Sequence, residues 1–204
     1  MLTPVRKGSD YHHGDLKHAA VLSARALVAA DGLSALGIRK VADRLSVSPA
    51  ALYRHFESLE ELRVALAAQV RIELAETMTA RRNRAPKSKS KRRTAISRFE
   101  AIGKGYVDYA KANPRLFEVA FLGCEFETLG TDTDLAWQVL LGSIDELSSA
   151  GLLQARGRRQ APMFAWSSIH GFATLVAQSA IPNSLIESSL RELFDGVQRA
   201  LFSN

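Results

Sequence analysis

The chain of 204 residues has a single cysteine, Cys124, so it can form no internal disulfide and no metal site built from several cysteines. It also lacks any apolar run near the roughly 18 residues that a membrane-spanning helix needs. The N-terminal stretch MLTPVRKGSDYHHGD contains no apolar segment of the kind found in secretory signal peptides. From these absences we expect a cytoplasmic protein that does not enter the membrane.

Motifs of common enzymes are absent as well. The sequence has no HExxH, no phosphate-binding P-loop, no GxSxG and no cysteine cluster. The adjacent His12 and His13 belong most simply to a polar N-terminal arm. An enzyme is therefore the disfavoured hypothesis, and we expect no catalytic residue, no metal and no cofactor.

Charge is unevenly distributed along the chain, whose formal net charge is +6. Residues 1–93 hold 18 Lys and Arg against 9 Asp and Glu, a net of +9, whereas residues 94–204 hold 9 against 12, a net of −3. A basic N-terminal half predicts contact with a polyanion, and a merely solvated basic surface is the alternative.

Apolar residues recur at helical spacing through most of the chain, and no stretch shows sustained strand alternation. The sequence therefore predicts an all-α protein of about nine helices. The basic segment RRNRAPKSKSKRR, residues 81–93, is interpreted as an exposed linker and candidate domain boundary. A nucleic-acid-binding tail is the alternative for this segment.

A continuous apolar stripe runs along residues 184–201, and the helix predicted over 162–180 is apolar on more than one face. We interpret these two helices as half of a four-helix interface in a homodimer. A hairpin buried within one chain is the alternative.

Two short helical segments followed by a longer one are predicted between Ile38 and about Thr79. Ser48 is a good N-cap for the second short helix, and Pro49 suits its first position. Ser58 and Glu61 have the spacing of a capping box at the start of the longer helix. This order is typical of a helix-turn-helix, whose second helix enters the major groove of DNA.

The first turn of that second helix carries small side chains that let its backbone approach the bases, and alanine methyls can meet thymine methyls. Larger hydrogen-bond donors follow, while Leu52 and Phe56 face the small core. The predicted DNA-contacting residues are Arg39, Ser48, Ala50, Ala51, Tyr53, Arg54 and His55. The alternatives are a partly buried Tyr53, a helix-capping His55 and an Arg39–Asp43 ion pair.

The segment GLSALGIRKVADRLSVSPAALYRHFESLEEL, residues 32–62, resembles the DNA-binding domain of the TetR (tetracycline repressor) family of transcriptional regulators. The resemblance extends over residues 11–70. It implies an all-helical homodimer with a helix-turn-helix domain and N-terminal arm over residues 1–60. A helical ligand-binding and dimerisation domain is implied over residues 61–204.

Three positions depart from the family pattern. Gly37 stands where Thr or Ser is usual, so the first short helix lacks a side-chain cap, and Ser46 stands in the turn where Gly is usual. Leu59 stands where a lysine usually contacts a phosphate. Compensation by Arg63, or by Arg6 and Lys7 in the arm, is the expectation for that contact.

The segment WSSIHG, residues 166–171, resembles the Trp-His-Gly signature of one type of TetR C-terminal domain, and YHHGDL, residues 11–16, is similar to the start of members with that body. A packed tryptophan with a buried histidine is the alternative. The ligand site is expected as an apolar cavity between helices with a few polar groups. Its candidate residues are Phe99, Tyr106, Phe117, Phe121, Trp137, Trp166 and His170. Cys124 lies beside acids, which disfavour a redox-sensing thiol.

The sequence therefore predicts a ligand-responsive transcriptional regulator, most simply a repressor that a small-molecule effector releases from double-stranded operator DNA. A constitutive or architectural DNA-binding protein without a ligand is the alternative, and a solidly filled body would favour it.

Overall fold

The computed structural model describes residues 13–121, 135–153 and 158–202, with side chains described from Leu16 onward. Within these ranges the chain forms nine α-helices and one short 3-10 turn, and the only β contact is an isolated bridge between Leu153 and Phe202. The all-α prediction is confirmed. The helices are α1 (His13–Asp31), α2 (Ile38–Leu45), α3 (Pro49–Tyr53), α4 (Leu59–Asn83), α5 (Lys91–Ala112), α6 (Pro114–Val119), α7 (Leu135–Ser149), α8 (Ala161–Ala177) and α9 (Ile186–Leu201).

The chain divides into two compact units, residues 1–66 and 67–204. The division falls within α4, a little beyond the boundary expected at residue 60. The basic segment 81–93 lies inside the second unit, because α4 continues into it from one side and α5 begins within it. None of the described helices has the length and apolar character required to cross a membrane.

The first unit contains the long helix α1, the short helices α2 and α3 and the start of α4, and side chains cap two of these helices. The Ser48 hydroxyl accepts a hydrogen bond from the Ala51 amide at 3.2 Å, and the Ser58 hydroxyl accepts one from the Glu61 amide at 3.1 Å. Both predicted N-caps are thus confirmed. Gly37 begins α2 without a side-chain cap, as its sequence position predicts.

In the second unit, α5 packs against α7 and α8, and α8 packs against α9. Two glycines let α5 approach its neighbours closely. A Cβ added to Gly105 would lie 2.8 Å from the Cα of Met78 on α4. One added to Gly103 would lie 2.7 Å from Cε1 of Phe194 on α9. These contacts bring α4, α5 and α9 around a shared interior.

The basic segment forms a hydrogen-bonded turn between α4 and α5. The Thr94 hydroxyl accepts a bond from the Ser88 amide at 3.0 Å and donates one to the Ser88 carbonyl at 3.1 Å. The guanidinium of Arg82 pairs with Glu146 on α7, and most other residues of the segment are exposed. The segment therefore connects two packed helices of the same unit.

The apolar stripe on α9 is largely buried within its own chain. Leu190, Phe194, Val197 and Leu201 are each at most 7% exposed. The interpretation of the stripe as a dimer interface does not hold for these four residues, because they complete the core of the second unit. The exposed apolar side chains of this helix pair lie mainly on α8.

Candidate functional site

The first turn of α3 presents the arrangement that the sequence predicts for a helix entering the DNA groove. Ser48 is exposed and caps the helix, so its hydroxyl is engaged with the backbone of the first turn. Ala50 is exposed and Ala51 is half-buried. The helix can therefore approach a flat surface closely at this end, because no long side chain stands in front of it.

The two faces of α3 separate clearly into core and surface. Leu52 and Phe56 are 0% exposed, whereas Tyr53 between them is 55% exposed. A core role for Tyr53 is therefore excluded within this unit. Arg54 is exposed and His55 is half-buried at the end of the helix. The predicted donors thus follow the small residues along one short segment of surface.

On α2, Arg39 is exposed and, within the described ranges, makes no ion pair with Asp43. Lys40 and Arg44 are also exposed on α2. The sequence analysis did not single them out, although basic residues on the first helix of the motif were a visible signal. Together these residues make the α2–α3 surface rich in positively charged side chains.

Leu59, where the family resemblance implies a phosphate-contacting lysine, is the first residue of α4. Arg63 on α4 forms an ion pair with Glu60 at 3.2 Å, so its guanidinium is already engaged. Arg6 and Lys7, the other candidates for this phosphate contact, lie outside the described residues. Compensation at this site stays a prediction.

The second unit contains a cavity of about 70 Å³ bounded by five of its helices. Among the residues that the structure describes, no charged side chain lines it. Five of the seven predicted ligand residues contribute to its wall: Phe99, Tyr106, Phe121, Trp137 and Trp166. The sequence analysis missed lining residues from α4, α5, α8 and α9, notably Met78, Ile102, Met163, Leu193, Phe194 and Val197. The sequence showed the α9 residues as an apolar stripe, but the stripe was interpreted as part of a dimer interface and not as cavity wall.

The remaining two predicted residues, Phe117 and His170, contact the lining rings without lining the cavity themselves. The His170 ring stacks on Trp166 with centroids 5.2 Å apart and meets Phe121 edge-on at 4.7 Å. Its Nδ1 forms a hydrogen bond of 2.8 Å with the hydroxyl of Tyr106. His170 therefore joins three rings of the wall, and Phe117 packs against it at 5.6 Å.

Burial lowers the pKa of His170 below its usual value of 6.5. The imidazole is therefore neutral at pH 7, and a neutral ring can both donate and accept hydrogen bonds. Within the described ranges, no cluster of three or more His, Cys, Asp or Glu side chains could hold a metal ion. Cys124, for which the sequence disfavours a redox role, lies outside these ranges.

Two family models match this chain. The model described as "Bacterial regulatory proteins, tetR family" matches residues 21–66, which include α2 and α3. The model described as "Tetracyclin repressor-like, C-terminal domain" matches residues 99–201, which include most of the cavity wall.

Individual relatives agree with these matches. The chain is 23% identical over 176 residues to the uncharacterized HTH-type transcriptional regulator YobS of Bacillus subtilis, covering 82% of this chain and 84% of that protein. Its fold is similar to a protein of unknown function from Rhodococcus sp. RHA1, with a TM-score of 0.76, 23% identity and coverage of 96% and 100%. A TetR variant from Acinetobacter baumannii in complex with minocycline has a TM-score of 0.64, 18% identity and coverage of 90% and 93%.

Proposed function

The chain belongs to the TetR family of DNA-binding transcriptional regulators, and from this premise we propose that it is a repressor that a small molecule releases from its operator. The family is one of regulators and not of enzymes. In a bacterial cell such a protein would act on the chromosome in the cytoplasm.

The surface of α2 and α3 supports DNA binding as the central activity. Tyr53 is exposed between the fully buried Leu52 and Phe56, and this single observation carries the proposal. A large side chain with a hydroxyl is held outward by the rigid core on either side of it. Ala50 and Ala51 then leave room for the helix in the major groove, and Arg39 and Arg54 supply contacts to phosphates or guanine.

We further propose that the protein is a homodimer through α8 and α9. On α8, Phe164, Gly171 and Leu175 share one helix face, and each is exposed. A Cβ added to Gly171 would meet nothing within 4 Å, so another helix could approach closely there. A two-fold arrangement would bury this face in both protomers, and the dimer would then carry two copies of α3 for DNA.

Ligand response is supported by the cavity in the second unit. Met78 of α4 lines it, and α4 is the helix that runs across the division between the two units. A ligand that fits the cavity better in one arrangement of α4 would shift the population between DNA-binding and released states. The TetR variant from Acinetobacter baumannii is in complex with minocycline, which supports the proposal that this chain also binds a small molecule.

The test begins with selection of bound sequences from a pool of random duplexes. Affinity for the selected site should exceed that for random DNA by about 10³-fold or more. Raising salt from about 50 to about 200 mM should weaken binding by roughly 10³-fold, because several phosphate contacts release counterions. Equal affinity for every duplex would contradict a sequence-specific regulator.

The second candidate is a constitutive DNA-binding protein without a ligand. It shares the α2–α3 surface, so DNA binding alone does not separate the two. The cavity favours the ligand-responsive function, because a body with a purely structural role has no need of unfilled apolar space.

A further inference from the structure

The cavity wall has a chemical character specific enough to define its ligand. Within the described ranges, the side chains of the wall present hydrocarbon and thioether surface, apart from one tyrosine hydroxyl and two indole N–H groups. We infer that this cavity takes a compact, uncharged aromatic molecule carrying one hydrogen-bond acceptor, which the indole N–H of Trp166 meets. The inference rests on the proposed function, because it names the class of its effector.

The inferred ligand carries no charge, because burying an ion in an apolar cavity is costly. A carboxylate or an ammonium group entering this cavity would lose its hydration, and none of the described lining residues carries the opposite charge. Arg82 and Arg98, which lie on the cavity-forming helices α4 and α5, both pair with Glu146 on α7. They are therefore not counter-ions held ready for a ligand.

The aromatic character of the inferred ligand follows from the geometry of the rings in the wall. Six aromatic rings line the cavity, contributed by Phe99, Tyr106, Phe121, Trp137, Trp166 and Phe194. Trp137 and Trp166 meet at 88° with centroids 6.2 Å apart, so the pair presents both a ring face and a ring edge. A third ring can then stack on one and contact the other edge-on, which are the preferred aromatic arrangements.

The size of the cavity sets the size of the ligand. About 70 Å³ is less than half of the roughly 150 Å³ of an engineered cavity that binds benzene, so one ring with a short substituent enters only if the wall yields, and a fused polycyclic molecule is too large. Met78 and Met163 lie in the wall, and their unbranched side chains can adjust to a substituent.

Trp166 supplies the polar recognition. Its indole N–H, a donor that never accepts, has no hydrogen-bond partner among the described residues. Its ring is held by the stacked His170, which is in turn bonded to Tyr106. Because Trp166 lines the cavity, we assign this donor to the ligand, where it would select a carbonyl or ether oxygen.

Four single-ring compounds test this inference: acetophenone, ethylbenzene, benzoate and benzylammonium. They share ring size and differ in acceptor and charge. Binding to the intact protein is measured by calorimetry and by the emission of Trp137 and Trp166, the protein's two tryptophans. Acetophenone should bind at least about tenfold more tightly than either ion. Benzoate or benzylammonium binding as tightly as acetophenone would overturn the inference, as would the absence of binding by both neutral compounds.

Trp166→Phe keeps a ring and removes the N–H. It should lower the affinity for acetophenone about fivefold and change that for ethylbenzene by less than about twofold. Leu22→Ala, on the exposed face of α1, is the matched control and should change neither affinity. An equal loss for both compounds in Trp166→Phe would contradict the assigned donor.

Operator release is measured separately with the same compounds. Neutral-selective binding without any change in DNA affinity would support the cavity inference and contradict a ligand-released repressor. Release of DNA by benzoate alone would support the regulator and overturn the inference about ligand charge.

Discussion

The hydroxyl of Tyr106 on α5 lies 2.8 Å from Nδ1 of His170 on α8, joining two helices that both line the cavity. The sequence predicts each residue as a ligand contact on its own. In the structure Tyr106 lines the cavity, whereas His170 lies next to the wall and is bonded to it through Tyr106. The pair therefore links the stability of the second unit to the shape of its cavity.

His170 should make stability depend on pH in a defined direction. Its folded pKa is lowered by burial, so below 6.5 the unfolded chain binds this proton more readily than the folded chain. The contribution of the neutral ring is complete above 6.5 and is lost as pH falls through the folded pKa. Urea unfolding at about pH 7.5 and about pH 5.5 should show a smaller loss of stability in His170→Gln than in the wild type. Equal losses would contradict burial of a neutral imidazole.

Tyr53→Ala should weaken binding to every duplex by about 1–3 kcal/mol, because a contact to the DNA backbone carries no sequence information. The side chain is exposed, so circular dichroism and the unfolding temperature should stay close to those of the wild type. Leu52→Ala, from the buried face of the same helix, is the matched control and should destabilise the fold by about 2–5 kcal/mol. Comparable destabilisation by both variants would show that Tyr53 belongs to the core.

The structure of the DNA-binding unit could be predicted best from the sequence, because its helix starts depend on residues within one turn. Ser48 and Pro49 mark a helix start through backbone chemistry that acts within one turn. The alternation of buried Leu52, exposed Tyr53 and buried Phe56 follows from helical geometry once that start is known. The roles of Arg39, Arg54 and His55 in DNA contact stay predictions, since exposure alone does not identify a partner.

Leu175→Arg should convert the proposed dimer to monomer. Leu175 is 46% exposed within one chain, so the change should leave the protomer folded, but a two-fold interface on α8 would bury the charge twice. Sedimentation should show dimerisation weakened by at least about 10²-fold. Leu22→Arg, similarly exposed on α1, should leave the dimer intact. An unchanged dimer in Leu175→Arg would place the interface elsewhere.

Gly105→Ala and Gly142→Ala should change stability in opposite directions. At Gly105 the new Cβ would lie 2.8 Å from the backbone Cα of Met78, which cannot rotate away, so a loss of about 1–3 kcal/mol is expected. At Gly142 on α7 the Cβ would meet nothing within 4 Å, and the higher helix propensity of alanine should add about 0.5–1 kcal/mol. Urea titration measures both. Stabilisation by Gly105→Ala would contradict the close approach of α4 and α5.

The cavity was only partly open to prediction, because it depends on how distant helices pack. The aromatic candidates on α5, α7 and α8 were found from their type and spacing, and four of them line the wall together with Phe121, which follows α6. Met78 gave no signal, since its place in the wall follows from the approach of α4 to Gly105. Phe194 and Val197 were recognised as apolar, but periodicity gives the face of a helix and not what covers it.

Ser46, in the turn between α2 and α3, holds a left-handed backbone with φ of 55°, where the family pattern has glycine. A side chain other than glycine in this region costs about 1 kcal/mol. Ser46→Gly should therefore remove this cost and so offset destabilising substitutions in the nearby recognition helix. During divergence toward a new operator, substitutions at Ala50 or Arg54 that weaken the domain could persist in a lineage that first acquired this glycine. The turn thus gives the DNA-reading surface a route to new specificity that leaves its core untouched.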